Sequence, residues 1–344
     1  MTPARVLVTG GAGFVGHHLV SYLLHQTDWN LVLLDRLDHS GNLNRLAEVL
    51  EEFKPHIAPR VKFFFHDLRA EFGSQVTAQL GAFDYIFHLA AATHVDRAIA
   101  DPLPFVMDNV VGTCNLLTYA RQVGCDKFFY FSTDEVFGPA AKVLELDKER
   151  GLPTFEAYRE WDRYRSGNPY AATKAGAEEL CLAFHNTYGV PVVITHCMNV
   201  FGERQHPEKF IPHIIAAVSR GETLPIYATP DLRKSGSRFY IHAASVAEAV
   251  RFLVDRGEPG DKYNIVGDRE VDNLALAQLV AGMVGKELKY AMVDFHSSRP
   301  GHDLRYALDG SKMKALGWRP TRNFESRLLQ VVRWTLANPR WLVA

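Results

Sequence analysis

A tyrosine and a lysine four residues apart, Tyr170 and Lys174, form the first pair in this sequence that could carry out acid–base chemistry. The preceding Asn168-Pro169 predicts the start of a helix, with a capping asparagine and with proline in the first helical position. Residues four apart lie on one helix face, so the two side chains are expected to be neighbours. Because an ammonium stabilises a phenolate, we expect Lys174 to lower the pKa of Tyr170 and make it a base for an alcohol proton. The spacing alone would also fit an ordinary surface helix.

Two consecutive acids follow a strand-like apolar segment and directly follow Thr133, namely Asp134 and Glu135. In open α/β sheets, ligands bind beyond the carboxyl ends of the strands, which is where this triplet is expected to lie. Neighbouring carboxyl groups disfavour joint ionisation, so one can donate a proton while the other accepts one. Consecutive acids in a loop are most often merely solvated, and composition alone favours that interpretation.

Three glycines spaced Gly-x-x-Gly-x-x-Gly follow the first apolar segment, at Gly10, Gly13 and Gly16. Small residues at these places make a tight turn, let the backbone approach a pyrophosphate and leave a helix N-terminus to bind the anion. Asp35 stands 19 residues after Gly16, and its carboxylate can accept hydrogen bonds from ribose hydroxyls. That carboxylate would repel a 2′-phosphate, so NAD is favoured over NADP, although Arg36 could weaken this preference. A glycine turn used only for packing is the alternative.

A further apolar segment, 61–65, ends at His66-Asp67-Leu68. The Asp67 carboxylate could accept a hydrogen bond from an adenine amino group. An ordinary turn at the end of a strand explains the residue equally well.

Short apolar segments alternate with segments of helical spacing through the first two thirds of the chain. This pattern is typical of buried parallel strands joined by helical crossovers and predicts an α/β fold with a doubly wound, Rossmann-type parallel sheet. A smaller mixed α/β part is expected to follow. We expect residues 1–198 to bind the dinucleotide, with 237–262 returning to that part, and 199–344 mainly to bind the substrate. The expected strands are 6–9, 31–34, 85–89, 127–131 and 192–195, and the expected helices are 16–25, 110–122, 170–188, 274–284 and 324–337.

Composition excludes several classes of function. The 344 residues are 47% hydrophobic and carry a formal net charge of −1, so no overall basic field favours nucleic acid. We see no apolar stretch near the ~20 residues of a membrane span and no signal peptide at the N-terminus. The spacing of the four cysteines matches neither a zinc site nor a disulfide framework, so we expect reduced thiols, no metal and a cytoplasmic protein. These cysteines are Cys114, Cys125, Cys181 and Cys197.

The glycine turn together with Tyr-x-x-x-Lys resembles the short-chain dehydrogenase/reductase family, and the chain length indicates its extended, sugar-nucleotide branch. Within that branch, Thr133-Asp134-Glu135 resembles the signature of the dTDP-glucose 4,6-dehydratases. The resemblance covers nearly the whole chain. The segments that carry it are 9–16, 88–91, 93–97, 132–138, 168–170, 207–209 and 299–306.

The resemblance implies an NAD-dependent hydro-lyase that removes water from a nucleoside-diphosphate hexose, with dTDP-glucose as the first choice of substrate. It also implies a homodimer packed through helices near Val110 and Tyr170. The implied catalytic residues are Thr133, Asp134 as the acid, Glu135 as the base, Tyr170 and Lys174. The implied cofactor contacts are Gly10, Gly13, Phe14, Val15, Gly16, Asp35, Asp67, Leu68, Ala90, Thr93, Tyr170 and Lys174. The implied substrate contacts are His94, Lys209 and His302, then Asn199, Arg238 and Arg299 at the diphosphate and Pro225 and Tyr227 at the nucleobase.

Four places depart from the family pattern and bear on which sugar and nucleotide are accepted. This chain has Ala92 where the family has Glu or Gln, His196 where it has Arg, and Met198 where it has Ser. It has Ala244-Ser245 where an acidic residue is usual. None of them is a proposed proton carrier.

Two other functions remain open. A nucleotide-sugar 4-epimerase or decarboxylase would share the glycine turn and the Tyr170/Lys174 pair but would have no use for Asp134 and Glu135. A non-catalytic NAD-binding protein could share the fold. For His94, a structural polar contact is the alternative to a substrate contact.

Overall fold

The protein is described from a computed structural model that covers residues 2–54, 59–140, 143–146, 153–294 and 305–343. Arg299 and His302 therefore lie outside the described residues. The strands are β1 (Arg5–Thr9), β2 (Asn30–Asp35), β3 (Val61–Phe65), β4 (Tyr85–His88), β5 (Lys127–Thr133), β6 (Val143–Leu146), β7 (Pro153–Phe155), β8 (Val192–Cys197), β9 (Val200–Phe201), β10 (Thr223–Ala228), β11 (Ser237–Phe239), β12 (Ile241–His242), β13 (Lys262–Ile265), β14 (Glu270–Asp272) and β15 (Lys289–Asp294).

Helices precede or follow most of these strands. They are α1 (Phe14–Gln26), α2 (Leu43–Glu51), α3 (Ser74–Leu80), α4 (Val95–Ala100), α5 (Leu103–Phe105), α6 (Gly112–Val123), α7 (Pro169–Tyr188), α8 (Phe210–Arg220), α9 (Ala243–Arg256), α10 (Asn273–Val284), α11 (Ser311–Ala315) and α12 (Phe324–Ala337). A π-helical segment, Val106–Val111, leads into α6, and 3-10 turns cover Asp134–Phe137 and Pro339–Leu342.

The central sheet has seven strands in the order β13-β8-β5-β4-β1-β2-β3. The registered pairs from β3 through to β8 are all parallel. Strand order reverses between β1 and β4, so the carboxyl ends of β1, β4 and β5 share one edge of the sheet beside this switch point. The predicted doubly wound parallel sheet is confirmed, as are the five predicted strands and the predicted crossover helices.

The chain divides into two compact units. The first comprises residues 1–136, 168–197 and 246–263, and the second comprises 137–167, 198–245 and 264–344. The first has an apolar core on the inner strands, with Leu7, Ile86 and Phe128 fully buried. The second has its own core on α8, α10 and α12, with Ile214 and Leu328 fully buried. Which ligand each part binds stays a prediction.

The predicted helix 110–122 begins differently from the expectation. Residues Val106–Val111 wind as a π-helix before α6 starts at Gly112. A π-helical turn widens the helix by one residue and is frequently found at functional sites. Local propensity does not signal such a turn, so the apolar spacing could not predict it.

Two further observations concern the chain as a whole. Within the described ranges, no helix combines the length and the apolar character that crossing a membrane requires. All four cysteines are free thiols, as predicted.

Candidate active site

The glycine turn joins β1 to α1 at the sheet edge where strand order reverses. Gly10 has a φ of +71°, and a Cβ there would lie 2.8 Å from the backbone nitrogen of Ala90. A Cβ on Gly16 would lie only 2.0 Å from the carbonyl oxygen of Gly10. Gly13 caps α1 without a side-chain hydrogen bond, which leaves the first N–H groups of the helix for an anion. The turn therefore fits a dinucleotide pyrophosphate.

Substitution of Gly16 by alanine tests this turn. Because the added methyl group would collide with backbone rather than with a flexible side chain, the turn must open, and we expect dinucleotide affinity to fall at least about 10-fold. The measurement is a fluorescence titration with NADH. Gly282→Ala in α10 is the matched control, since an added Cβ there meets nothing within 4 Å. Equal affinity in both variants would contradict the pyrophosphate assignment.

Asp35 ends β2 and accepts two backbone hydrogen bonds beside the glycine turn. Its Oδ2 accepts from the Ala12 N–H at 3.0 Å, and its Oδ1 accepts from the Leu37 N–H at 2.9 Å. Burial raises the pKa of this carboxyl, although the backbone hydrogen bonds oppose the shift. The carboxylate is held in the place where an adenosine ribose would meet the end of the second strand.

Asp67 lies just beyond β3 and is bound by arginines. Arg69 donates to both oxygens of the carboxylate, and Arg36 lies 3.4 Å away. Burial opposes ionisation of Asp67, but the hydrogen bonds from Arg69 and the charge of Arg36 outweigh it and lower its pKa to about 2. The contact between Asp67 and adenine stays a prediction.

The other predicted cofactor residues surround these elements. Phe14 and Val15 open α1 and are half-buried, Leu68 is buried, Ala90 is half-buried and Thr93 is exposed.

Thr133 and Tyr170 are brought together at the carboxyl end of β5. Asn168 caps α7 by accepting from the Ala171 N–H, and Pro169 takes the first helical position, as predicted. Tyr170 and Lys174 are both buried on this helix. The Tyr170 phenol shares a hydrogen bond with the Thr133 hydroxyl. A substrate hydroxyl that replaced one partner of this bond would lie within proton-transfer distance of the phenol.

The two acids lie on the 3-10 turn that follows β5. The Thr133 hydroxyl donates to Asp134 Oδ1 at 3.1 Å, and Asp134 is only 5% exposed. Glu135 is half-buried, and its Oε2 accepts from the Asn168 side chain at 2.9 Å. The residue that caps α7 therefore also orients one of the acids. Sequence analysis named Asn168 as a cap but missed this second contact.

The structure corrects the expected ionisation of Tyr170. Burial raises the pKa of the phenol, and the nearby Glu135 carboxylate raises it further, while the hydrogen bond with Thr133 opposes both. Burial also lowers the pKa of Lys174 to about 7. The predicted lowering of the Tyr170 pKa by Lys174 is wrong here, because burial of the phenol and the charge of Glu135 raise that pKa instead. The Lys174 Nζ stands 4.2 Å from the ring centre of Tyr130.

A buried ionic triad lies on the same face of α7, one turn beyond Lys174. Glu178 contacts the His196 Nε2 at 3.1 Å and the Lys262 Nζ at 2.9 Å, and all three side chains are at most 4% exposed. His196 is one of the departures from the family pattern. The i, i+4, i+8 spacing of Tyr170, Lys174 and Glu178 could have indicated that Glu178 shares their helix face. The spacing could not have identified its partners, because they lie on distant strands.

His94 and Ala92 lie in the segment that follows β4. The His94 Nδ1 caps α4 by accepting from the Arg97 N–H at 3.3 Å. The Ala92 N–H donates to the side chain of Asn109 at 2.8 Å. His94 therefore makes a structural polar contact, the alternative raised in the sequence analysis. A contact between His94 and the substrate stays a prediction.

The predicted substrate residues of the second unit are found on separate elements. Asn199 precedes β9 with a φ of +33°, and Lys209 caps α8. Pro225 and Tyr227 share one face of β10, opposite the buried Leu224 and Ile226. Arg238, on β11, lies 4.9 Å from the ring centre of Tyr306. Its Nη1 donates to the Ser237 carbonyl oxygen at 2.8 Å, and a contact between Arg238 and a phosphate stays a prediction.

The parallel sheet, the glycine turn and the Thr133/Tyr170/Lys174 group define an extended short-chain dehydrogenase/reductase. A family model described as GDP-mannose 4,6 dehydratase matches residues 7–330. The chain belongs to this family.

Curated relatives and solved structures agree with this assignment. The chain is 38% identical to the low-salt glycan biosynthesis protein Agl12 of Haloferax volcanii, over 97% of this chain and 99% of that one. It is 35% identical to a dTDP-glucose 4,6-dehydratase of Salmonella typhimurium, over 98% and 94%. The crystal structure of DesIV, a dTDP-glucose 4,6-dehydratase from Streptomyces venezuelae with NAD and TYD bound, superposes with a TM-score of 0.84 at 34% identity, covering 98% of each chain.

Proposed function

We propose that this chain is an NAD-dependent nucleotide-sugar 4,6-dehydratase that converts dTDP-glucose to dTDP-4-keto-6-deoxyglucose. The observation that carries the proposal is the acid pair Asp134 and Glu135, held on a turn beside the Thr133–Tyr170 hydrogen bond. An oxidoreductase site needs only the tyrosine, threonine and lysine. Two carboxyl groups in addition allow a proton to be taken from one carbon while a hydroxyl on the next is protonated.

The first unit fits the cofactor. Gly10, Gly13 and Gly16 leave room for the pyrophosphate, and Asp35 would accept from the adenosine ribose. Phe14, Val15, Asp67, Leu68, Ala90 and Thr93 complete the proposed contacts. When bound, NAD supplies a hydride acceptor for C4 of the sugar, a hydride donor for C6 and, in its oxidised ring, a positive charge that favours the phenolate.

The chain's own residues perform the proton transfers. Tyr170, assisted by Thr133, takes the proton of the 4-hydroxyl while C4 is oxidised, and the resulting ketone acidifies the hydrogen at C5. Glu135 removes the C5 proton and Asp134 protonates the 6-hydroxyl, so water leaves and a C5=C6 double bond forms. After C6 is reduced, a proton returns to C5. Burial lowers the pKa of Lys174 to about 7, so its ammonium is predominantly charged only below neutral pH.

The second unit carries the proposed contacts to the nucleotide part of the substrate. Asn199 and Arg238 would bind the diphosphate, since guanidinium and amide donors match phosphate oxygens. Lys209 is a further proposed substrate contact. Pro225 and Tyr227 offer an apolar face to a nucleobase. We propose that residues 1–198, with 237–262, bind NAD and that residues 199–344 mainly bind the sugar nucleotide.

Assembly and compartment are the remaining parts of the proposal. A homodimer through the helices near Val110 and Tyr170 is supported by large apolar side chains exposed around α5 and the π-helical segment, among them Leu103 at 65% and Val106 at 38%. A cytoplasmic location is supported by the four free thiols.

Incubation of the protein with nucleotide hexoses in deuterated water tests the function. We expect dTDP-glucose to lose one water and to gain deuterium at C5, because the C5 proton exchanges while the double bond exists. Product mass and NMR of the hexose ring measure both changes. UDP-, CDP- and GDP-hexoses are compared in parallel, and Tyr170→Phe is the control that keeps the ring but not the hydroxyl. An epimer of unchanged mass would instead establish the 4-epimerase.

A further inference from the structure

Five charged residues form a cluster beside Asp35, at the carboxyl ends of β2 and β3 and on the π-helical segment. We call it the Arg36 cluster. Its members are Arg36, Asp38, Asp67, Arg69 and Asp108.

The Arg36 guanidinium is held mainly by Asp108. Nη1 donates to Asp108 Oδ1 at 2.6 Å and Nη2 donates to Oδ2 at 2.7 Å, a two-pronged ion pair. Nε donates to Asp38 Oδ2 at 2.8 Å. The Asp108 side chain is 10% exposed and that of Arg36 is 23% exposed, so solvent screens this pair less than an ordinary surface ion pair. Hydrogen bonding to Asp108 is also the main reason that the Arg36 pKa is raised.

This pairing matters because of where Arg36 stands. An arginine close to the acid at the end of the second strand is the group that accommodates the 2′-phosphate of NADP in dinucleotide-binding folds. In this protein the guanidinium N–H groups of Arg36 donate to carboxylates instead. Three aspartates against two arginines leave the cluster with one excess negative charge, and Asp35 adds another.

We propose that Asp108 is a specificity-determining residue for the cofactor: it binds Arg36 and thereby withholds that guanidinium from a 2′-phosphate. Asp35 repels the 2′-phosphate. Asp108 pairs with Arg36, the cation that could otherwise offset this repulsion. The proposal rests on the proposed function only in that the first unit binds a dinucleotide. It does not depend on which sugar is dehydrated.

The test is the affinity of Asp108→Asn for NADH and NADPH, measured by nucleotide fluorescence. We expect the ratio of the NADPH Kd to the NADH Kd to fall at least about 10-fold, which corresponds to about 1.4 kcal/mol. Asparagine keeps the size of the side chain but cannot form the two-pronged ion pair. The NADH Kd is expected to stay within about threefold, because Asp35 and the glycine turn are unchanged.

Two further variants separate release of Arg36 from mere loss of a negative charge. Arg36→Met combined with Asp108→Asn should lose the gain in NADPH affinity, and Asp101→Asn, an exposed acid at the end of α4, should leave the ratio unchanged. An unchanged ratio in Asp108→Asn would overturn the proposal. So would an equal gain in the double variant, or a parallel loss of NADH and NADPH binding in Asp108→Asn. Because the readout is binding, a failed dehydratase assay would leave this result standing.

Discussion

Replacement of Asp134 by asparagine together with Glu135 by glutamine stops the loss of water while leaving the oxidation at C4 in place. General acid and general base each contribute roughly 10²–10⁴-fold, so the double variant should make no 4-keto-6-deoxy product on the time scale of the parent protein. The amides keep the size of the side chains and can still be held by Thr133 and Asn168. Tyr170 is untouched.

The expected signature is a stalled reaction. Addition of dTDP-glucose should raise the absorbance of reduced nicotinamide, and the rise should persist because C6 offers no double bond to reduce. Glu179→Gln, an exposed acid on α7, is the control and should turn over normally. Normal dehydration by the double variant would show that Asp134 and Glu135 are not the acid and the base.

Replacement of Glu178 by glutamine is expected to lower the free energy of unfolding by about 3–5 kcal/mol. The reason is that Lys262 and His196 would keep buried polar groups that no longer face a carboxylate. Chemical denaturation followed by circular dichroism measures the change. Glu179→Gln is again the matched control, since it removes the same charge one residue further along the same helix but from an exposed place.

The triad also predicts a pH dependence. Burial disfavours the Glu178 carboxylate, but His196 and Lys262 outweigh burial and lower its pKa. A carboxyl with a lowered folded pKa contributes stability that is present above its unfolded pKa of about 4.5 and is lost as the pH falls through the folded value. Stability of the parent should therefore fall below about pH 4.5 more steeply than that of Glu178→Gln.

Combining Glu178→Gln with Lys262→Met completes this experiment. Removing the Lys262 ammonium along with the Glu178 carboxylate takes away the lysine charge that the single variant leaves uncompensated, so part of the lost stability should return. If both single substitutions and the pair unfold like the parent, the triad contributes nothing to stability. That result would contradict the buried contacts on which the prediction stands.

Much of the fold and part of the site could be predicted because their signals are local in the chain. The strand, the glycine turn and helix α1 follow one another within 5–26, and the steric limit on Gly16 comes from the backbone of Gly10, six residues earlier. Asn168 and Pro169 likewise determine where α7 begins, and the helical repeat then places Tyr170 and Lys174 together.

The sequence did not predict contacts between distant segments. Glu135 meets Asn168 across 33 residues, Arg36 meets Asp108 across 72, and Glu178 meets Lys262 on β13. Nothing in the spacing of these residues reveals the pairing, because strand order and helix rotation decide which side chains face each other.

By itself, therefore, the sequence determined the elements, their order and the residue types at the end of each strand, since these follow from short-range sterics and hydrogen bonding. Only the tertiary structure decided ionisation and pairing. The Tyr170 pKa is the plainest case: four residues of spacing predicted a lowered value, but burial from all sides raised it. Desolvation depends on everything packed around a group, and that surrounding is assembled from the whole chain.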